Sequence, residues 1–255
     1  MRLIAAWALG AALLPAQSQA VFGLFLQANG GDGAPLYRGE PALVEVMLSL
    51  EEGGAAKVAF RDGAPWTAGL KLALTNRAGA PVQAEWQRLG AAESALEFTA
   101  MATEIHAVFA LDPAAVAALP PGEYTLSATF EAGANAAAGA WRGKASAPAL
   151  RLAVSGEPRE AAPAAQTAKR RLEARWKLLS GRGEEALADL DAALALAPGD
   201  VRLLEDKAGA LMELGRGGEA AETLRKAIAA FRKQNPGEKH PPRELLRMLR
   251  EADPF

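Results

Sequence analysis

Shifted by 34 residues, the last third of this chain reads back onto itself. Residues 167–200 and 201–234 share nine identities: Ala174/Ala208, Gly181/Gly215, Arg182/Arg216, Gly183/Gly217, Glu185/Glu219, Ala186/Ala220, Leu190/Leu224, Ala193/Ala227 and Ala195/Ala229. A fixed period of this length marks a supersecondary unit used twice, each copy burying its apolar face against its neighbour. Most of the shared residues are small. Ala174/Ala208 and Ala186/Ala220 recur at fixed places in each copy. Gly181 and Gly215 are placed to end the first helix of each copy, where the left-handed conformation is cheapest for glycine. Pro198 closes the first copy, whereas the second has Arg232 at that position and reaches its proline at Pro236.

This pattern resembles the tetratricopeptide repeat (TPR), over residues 167–250 only. The resemblance implies two TPR-like helical hairpins over 167–234 and a binding surface on the first helix of each. The large aromatics common in the family's first helix are missing, apart from Trp176 one residue out of register. Pro241–Glu251 reads as a short amphipathic helix, so 235–255 is expected to be a capping helix and tail that covers the open end of the array. Carried over position by position, the family's groove falls on Arg171, Arg175 and Leu178 in the first copy and on Arg202, Glu205, Gly209 and Met212 in the second. Arg243 and Arg247 extend it. The candidate peptide groove is therefore Arg171, Arg175, Leu178, Arg202, Glu205, Met212 and Arg243. Its basic character suits an acidic or C-terminal peptide. It departs from the family's carboxylate clamp of Lys and Asn, so chaperone-tail binding is not implied. The alternative is that these arginines solvate a helix face or pack on the rest of the chain.

Residues 21–154 have a different texture. Short apolar runs are separated by Gly, Pro, Asn and Asp. Val21–Gln27, Pro41–Leu50, Lys57–Phe60, Leu70–Thr75, Val82–Leu89, Glu104–Leu111, Tyr124–Phe130 and Ala149–Val154 are strand candidates. Val44–Leu48 and Leu70–Leu74 alternate with the period of a half-buried strand. Asn76–Pro81 reads as a hairpin loop. Seven or eight strands in this length is the count of a β-sandwich. Asp112–Leu119 reads as a short helix, and Pro120-Pro121-Gly122-Glu123-Tyr124 then enters a strand. That arrangement resembles the crossover before the penultimate strand of immunoglobulin-like sandwiches, which would give the Tyr124 hydroxyl a bond to upstream backbone. The fold class expected is multi-domain β + α: an N-terminal immunoglobulin-like β-sandwich, a linker over 155–166, and the two-repeat array with its cap.

The first twenty residues follow the pattern of a secretory signal. Arg2 precedes a twelve-residue apolar run, Leu3–Leu14, and Ser18-Gln19-Ala20 ends in the small residues a signal peptidase reads. Cleavage is expected after Ala20, leaving a soluble protein in a periplasm or outside the cell. The chain has no cysteine, which removes disulfides, thiolate metal sites, cysteine nucleophiles and a lipoprotein anchor.

Little else points to chemistry. The chain contains two histidines. His106 shares a strand face with Glu104 but has no nucleophile or metal partner, and reads as an outward or hydrogen-bonded sheet histidine. His240 reads as a surface residue. No phosphate loop, dinucleotide fingerprint, HExxH, GxSxG or EF-hand loop is present. Catalytic, cofactor-binding and metal residues are therefore expected to be none. Trp66 and Trp141 sit in loops, where a tryptophan either stacks on a sugar or plugs the end of a core; the second is favoured, and Trp86 should face the core. Net charge is −4 over 21–154, from 9 Lys/Arg and 13 Asp/Glu, and +4 over 167–250, from 17 and 13. Opposite signs favour intramolecular docking of the halves, although two ordinary solvated surfaces fit the same numbers. A chain-wide balance of −2 argues against nucleic acid as partner.

Two functions follow as expectations. The first is an exported, non-enzymatic protein-interaction or scaffold protein of the bacterial cell envelope, its groove binding a protein or peptide. The second is a sandwich-centred carbohydrate or protease binder, with the helices as a docking or dimerisation unit.

Overall fold

The computed structural model describes residues 20–30, 35–90, 93–99, 101–157, 159–238 and 240–253. Apart from Ala20, the signal-peptide reading falls outside them. Among the described residues twelve strands occupy the first part: β1 (Val21–Ala28), β2 (Leu36–Tyr37), β3 (Ala42–Glu52), β4 (Ala56–Ala59), β5 (Leu70–Asn76), β6 (Pro81–Val82), β7 (Gln87–Leu89), β8 (Ala95–Phe98), β9 (Glu104–Leu111), β10 (Gly122–Glu131), β11 (Lys144–Ser146) and β12 (Leu150–Ser155). One sheet runs β1-β3-β9-β7. The second runs β2-β12-β10-β5-β6, with β11 on β10 beyond the end of β12, and β4 pairs with β8 as a small third sheet.

Alternation fixes which side of each strand is inside. In β3, Val44, Val46, Leu48 and Leu50 are buried while Glu45, Met47 and Ser49 between them are partly open to solvent. In β10 the buried set is Tyr124, Leu126, Ala128 and Phe130. These two rows belong to one apolar core, in which each fully buried Leu or Phe contributes roughly 1.5–3 kcal/mol. The two sheets packed on that core make a β-sandwich. Trp66, on a single 3-10 turn at Trp66–Gly69, is 2% exposed. It plugs the core, as the bulk and placement of that loop tryptophan lead one to expect.

The Val82–Leu89 stretch is not one strand. Pro81–Val82 pairs with β5 in the second sheet and Gln87–Leu89 pairs with β9 in the first. The segment between them crosses from one sheet to the other. Val82, Ala84 and Trp86 keep their alternation and pack partly buried on the core. The periodicity therefore survives where the ladder does not. Strands β2, β8 and β11 are four residues or shorter, and their sequences carry too few periods to be seen.

The Tyr124 corner is present. Its hydroxyl donates to the carbonyl of Pro120 at 2.6 Å, and burial pushes the phenol's pKa up. Just upstream, helix α1 (Pro113–Ala118) is capped by Asp112, whose carboxylate accepts from Ala115 N at 2.7 Å. The loop after β5 also forms as expected: Asn76 Oδ1 accepts from the amides of Ala78 and Ala80, and Gly79 turns at φ +78°.

Among the described residues five helices follow: α2 (Pro163–Leu179), α3 (Gly183–Leu196), α4 (Val201–Glu213), α5 (Gly217–Gln234) and α6 (Arg243–Ala252). Helix α2 opens at Pro163, inside the stretch read as linker, because proline suits a first helical position. The connection before it is pinned. Arg159 donates through Nε to both oxygens of Glu40, at 2.9 and 3.1 Å, and through Nη2 to Oε2 at 2.8 Å. Its guanidinium also lies 4.2 Å over the ring of Tyr37.

At the nine shared positions the two hairpins are built alike. Ala174 and Ala208, Ala186 and Ala220, Leu190 and Leu224, and Ala193 and Ala227 are all buried. Gly181 and Gly215 turn at φ +76° and +73°. Arg182 pairs with Glu185 as Arg216 pairs with Glu219. The cap behaves as the first helix of a third copy. A side chain on Gly183 would meet Leu214 just past the end of α4, and one on Gly217 would meet Ala252 at the end of α6. None of these helices is long and apolar enough to cross a membrane.

Candidate functional site

The first helices of the repeats, α2 and α4, together with α6, carry the candidate groove. Its seven residues do not share one environment. Leu178 and Met212, equivalent by the 34-residue shift, both pack partly buried on the helical core and so serve stability. Arg171 donates through Nε to Asp206 at 2.5 Å across the α2–α4 pair, a bond that raises its already high pKa. Glu205 sits beside that pair. Burial is the largest influence raising its pKa, helped by Asp206 and Glu244, while Arg171 and Arg202 oppose it. Charges from α2, α4 and α6 therefore converge on Glu205, as a shared face requires. Arg202 and Arg243 make no ion pair among the described residues. They are the cations this face has left to offer a partner.

Arg175 belongs elsewhere. Its Nη2 donates to Glu45 Oε2 of the sandwich at 3.1 Å, and the other oxygen of Glu45 lies 2.9 Å from His106 Nδ1. His106 is thus a sheet-surface residue, outward on β9, as its strand position suggests. Leu172, Arg175 and Leu179 fall at i, i+3 and i+7, along one face of α2. Both leucines are half buried, yet neither belongs to the helical core. On the sandwich, Leu43 and Ala110 are register partners on the same outward face as Glu45; both are buried and lie outside the sandwich core. These residues mark a seam between α2 and the outer face of the β1-β3-β9-β7 sheet. The sequence held a signal for it: Leu172 and Leu179 stand where the second copy has Asp206 and Glu213. An apolar residue in one copy against an acid in the other is the mark of a neighbour that only one copy has.

A second feature was not read from the sequence. Asp189 on α3 is 5% exposed and pairs with both Lys177 and Arg170, the latter at 3.0 Å. The second copy has Leu204, Leu211 and Thr223 at the equivalent positions. One repeat is tied internally by charge and the other by apolar packing.

Among the described residues, no group of three His, Cys, Asp or Glu is placed to hold a metal ion.

Residues 177–236 match the family model of the tetratricopeptide repeat. The match spans both hairpin turns and all of α4 and α5. It covers under a quarter of the chain and characterises the helical array, a module type that mediates protein interactions. No curated protein matches the sequence. Solved structures similar to this chain include the CARDB domain of a Pyrococcus furiosus protein, 11% identical over 54% of this chain and 90% of that one, with a TM-score of 0.28. A PapD-like domain of human CEP192 is 9% identical over 63% and 100%, at 0.29. Self-complemented MyfA, the major subunit of Myf fimbriae from Yersinia enterocolitica, is 14% identical over 52% and 98%, at 0.27. Scores of this size do not carry the fold assignment, which rests on the strand order described above.

Proposed function

We propose that this chain is an exported, non-enzymatic protein-interaction protein of the cell envelope, in which the α2–α4–α6 face engages a protein or peptide and the sandwich holds that face in place. The carrying observation is the repeat array itself, matched by family model and built with equivalent residues in equivalent contacts. Export rests on the pattern of residues 1–20. The absence of an enzyme's chemistry is a reading of the sequence, which offers no nucleophile–base set. Of the groove's arginines, Arg171 and Arg175 are already held by carboxylates of the chain. Recognition therefore falls to Arg202 and Arg243, with Glu205 close to Arg202 on the same face.

The test is affinity capture from envelope extract with the full chain and with an Arg202→Glu/Arg243→Glu variant. Partners retained by the wild type and lost by the variant support the groove. An identical set of partners on both removes it. Mass spectrometry that finds Met1 intact on the envelope form removes cleavage after Ala20, and absence of the chain from the envelope fraction removes export.

A further inference from the structure

The sandwich has a cleft of its own, away from the helices. It is about 990 Å³ in volume, near the upper end of the range for ligand pockets. It lies where the start of β1, the β3–β4 turn, the end of β8 and the segment before β11 converge. Phe22, Phe98 and Trp141 form its apolar wall, and Lys57, Arg142 and Lys144 stand around it.

Two properties give the cleft a direction. The first is charge. Residues 21–154 are acidic overall, yet among the described residues three cations line this cleft beside one acid, Glu97. None of the three cations makes an ion pair within 4 Å among the described residues. All three are exposed, with Lys57 opposite Glu97 and Lys144 opposite Glu131 in strand register, so the excess of positive charge favours an anionic occupant most strongly at low salt.

The second property is the setting of Trp141. Its ring stacks on Phe130, with planes 8° apart and centroids at 5.9 Å, and Phe22 meets it edge-on at 4.9 Å. Gly143 lies so close that a Cβ there would fall 2.3 Å from Trp141 Cζ2. The indole is wedged as a wall rather than displayed as a platform for a sugar ring. Its Nε1 donates at 2.8 Å to the main-chain carbonyl of Ala20, on the extended approach to β1. The indole edge of the cleft is thus a donor already matched to a main-chain carbonyl.

From these observations we infer that the cleft binds an extended acidic peptide segment of a partner protein. An apolar side chain of the partner rests on Phe22, Phe98 and Trp141, and its carboxylates meet Lys57, Arg142 and Lys144. This site is independent of the helical groove.

Fluorescence anisotropy with a labelled Glu-Glu-Phe-Glu-Glu peptide and the full chain tests it, beside a Lys-Lys-Phe-Lys-Lys control. The acidic peptide binds, its affinity falls at least tenfold on raising salt from about 50 to 500 mM, and the basic control does not bind. Arg142→Glu/Lys144→Glu weakens binding at least tenfold, whereas Arg88→Glu/Arg151→Glu, exposed on the sandwich away from the cleft, leaves it unchanged. Arg142 and Lys144 are exposed, so the double variant is expected to fold; should thermal unfolding show otherwise, Lys57→Gln replaces it, with a severalfold loss expected. Equal affinity in the wild type and the folded cleft variant overturns the proposal. So does binding of a sulfated oligosaccharide by a chain that does not bind the peptide.

Discussion

Arg159→Ala is the substitution whose consequence can be worked most fully from the structure. Arg159 makes three hydrogen bonds to Glu40 and lies over Tyr37. Glu40 itself is 3% exposed. Removing the guanidinium leaves that carboxylate buried without its partner, and breaking a buried pair in this way costs about 3–5 kcal/mol. The Arg159 side chain is 16% exposed, so water can enter from one side, and the expected loss sits at the lower end, about 3 kcal/mol. Glu40→Ala is milder, about 1 kcal/mol, because the longer Arg159 side chain can swing out to solvent. The double variant should then resemble Glu40→Ala, which gives a coupling energy of about 3 kcal/mol. Urea unfolding read by tryptophan fluorescence in a Trp176→Phe background follows the sandwich, whose core holds Trp66. Arg159→Ala within about 0.5 kcal/mol of wild type, the ordinary scatter of surface changes, would refute the claim that this pair is buried and coupled. The same variant releases the connection to α2. Small-angle scattering should then show a larger radius of gyration as the Arg175–Glu45 contact loses its tether.

Three further outcomes are expected. Gly181→Ala and Gly215→Ala each force a side chain into the left-handed region and should cost about 1 kcal/mol of helical-array stability, read by circular dichroism during thermal unfolding. Tyr124→Phe removes the bond to Pro120 and should lower sandwich stability by about 1 kcal/mol with no change in the helical transition. Glu205 has its pKa raised chiefly by burial, so its ionised form weighs against the folded state at neutral pH. Glu205→Gln should therefore raise the Tm of the array at pH 7, and the gain should vanish as pH falls through the carboxylate range, where the wild-type residue is protonated folded and unfolded alike; a gain that persists at pH 3 refutes this.

Fold and site were legible to different depths. The 34-residue register located helices, turns and packing alanines because the constraint is local and stated twice. Alternation in Val44–Leu48 and the Pro-Gly-Glu-Tyr entry to β10 located the sandwich and its tyrosine corner for the same reason. The candidate groove was half legible. Its positions were inherited from the repeat, and the repeat placed Arg171, Glu205 and Arg202 within reach of one another's charge. Which arginines remain unpaired could not be read, because Asp206 acts from a neighbouring helix and Glu45 from another domain, 130 residues away in sequence.

By itself, the sequence determined the repeat period, the longer elements and the side of each that is buried, since these follow from spacing along one chain segment. Tertiary structure alone decided that Val82–Leu89 divides between two sheets, that Arg159 staples the connection to Glu40, and that α2 spends Arg175 on the sandwich. Each of those depends on which surfaces meet. A charge or a leucine has the same sequence signature whether it faces water or a partner domain, and only the packed chain distinguishes the two.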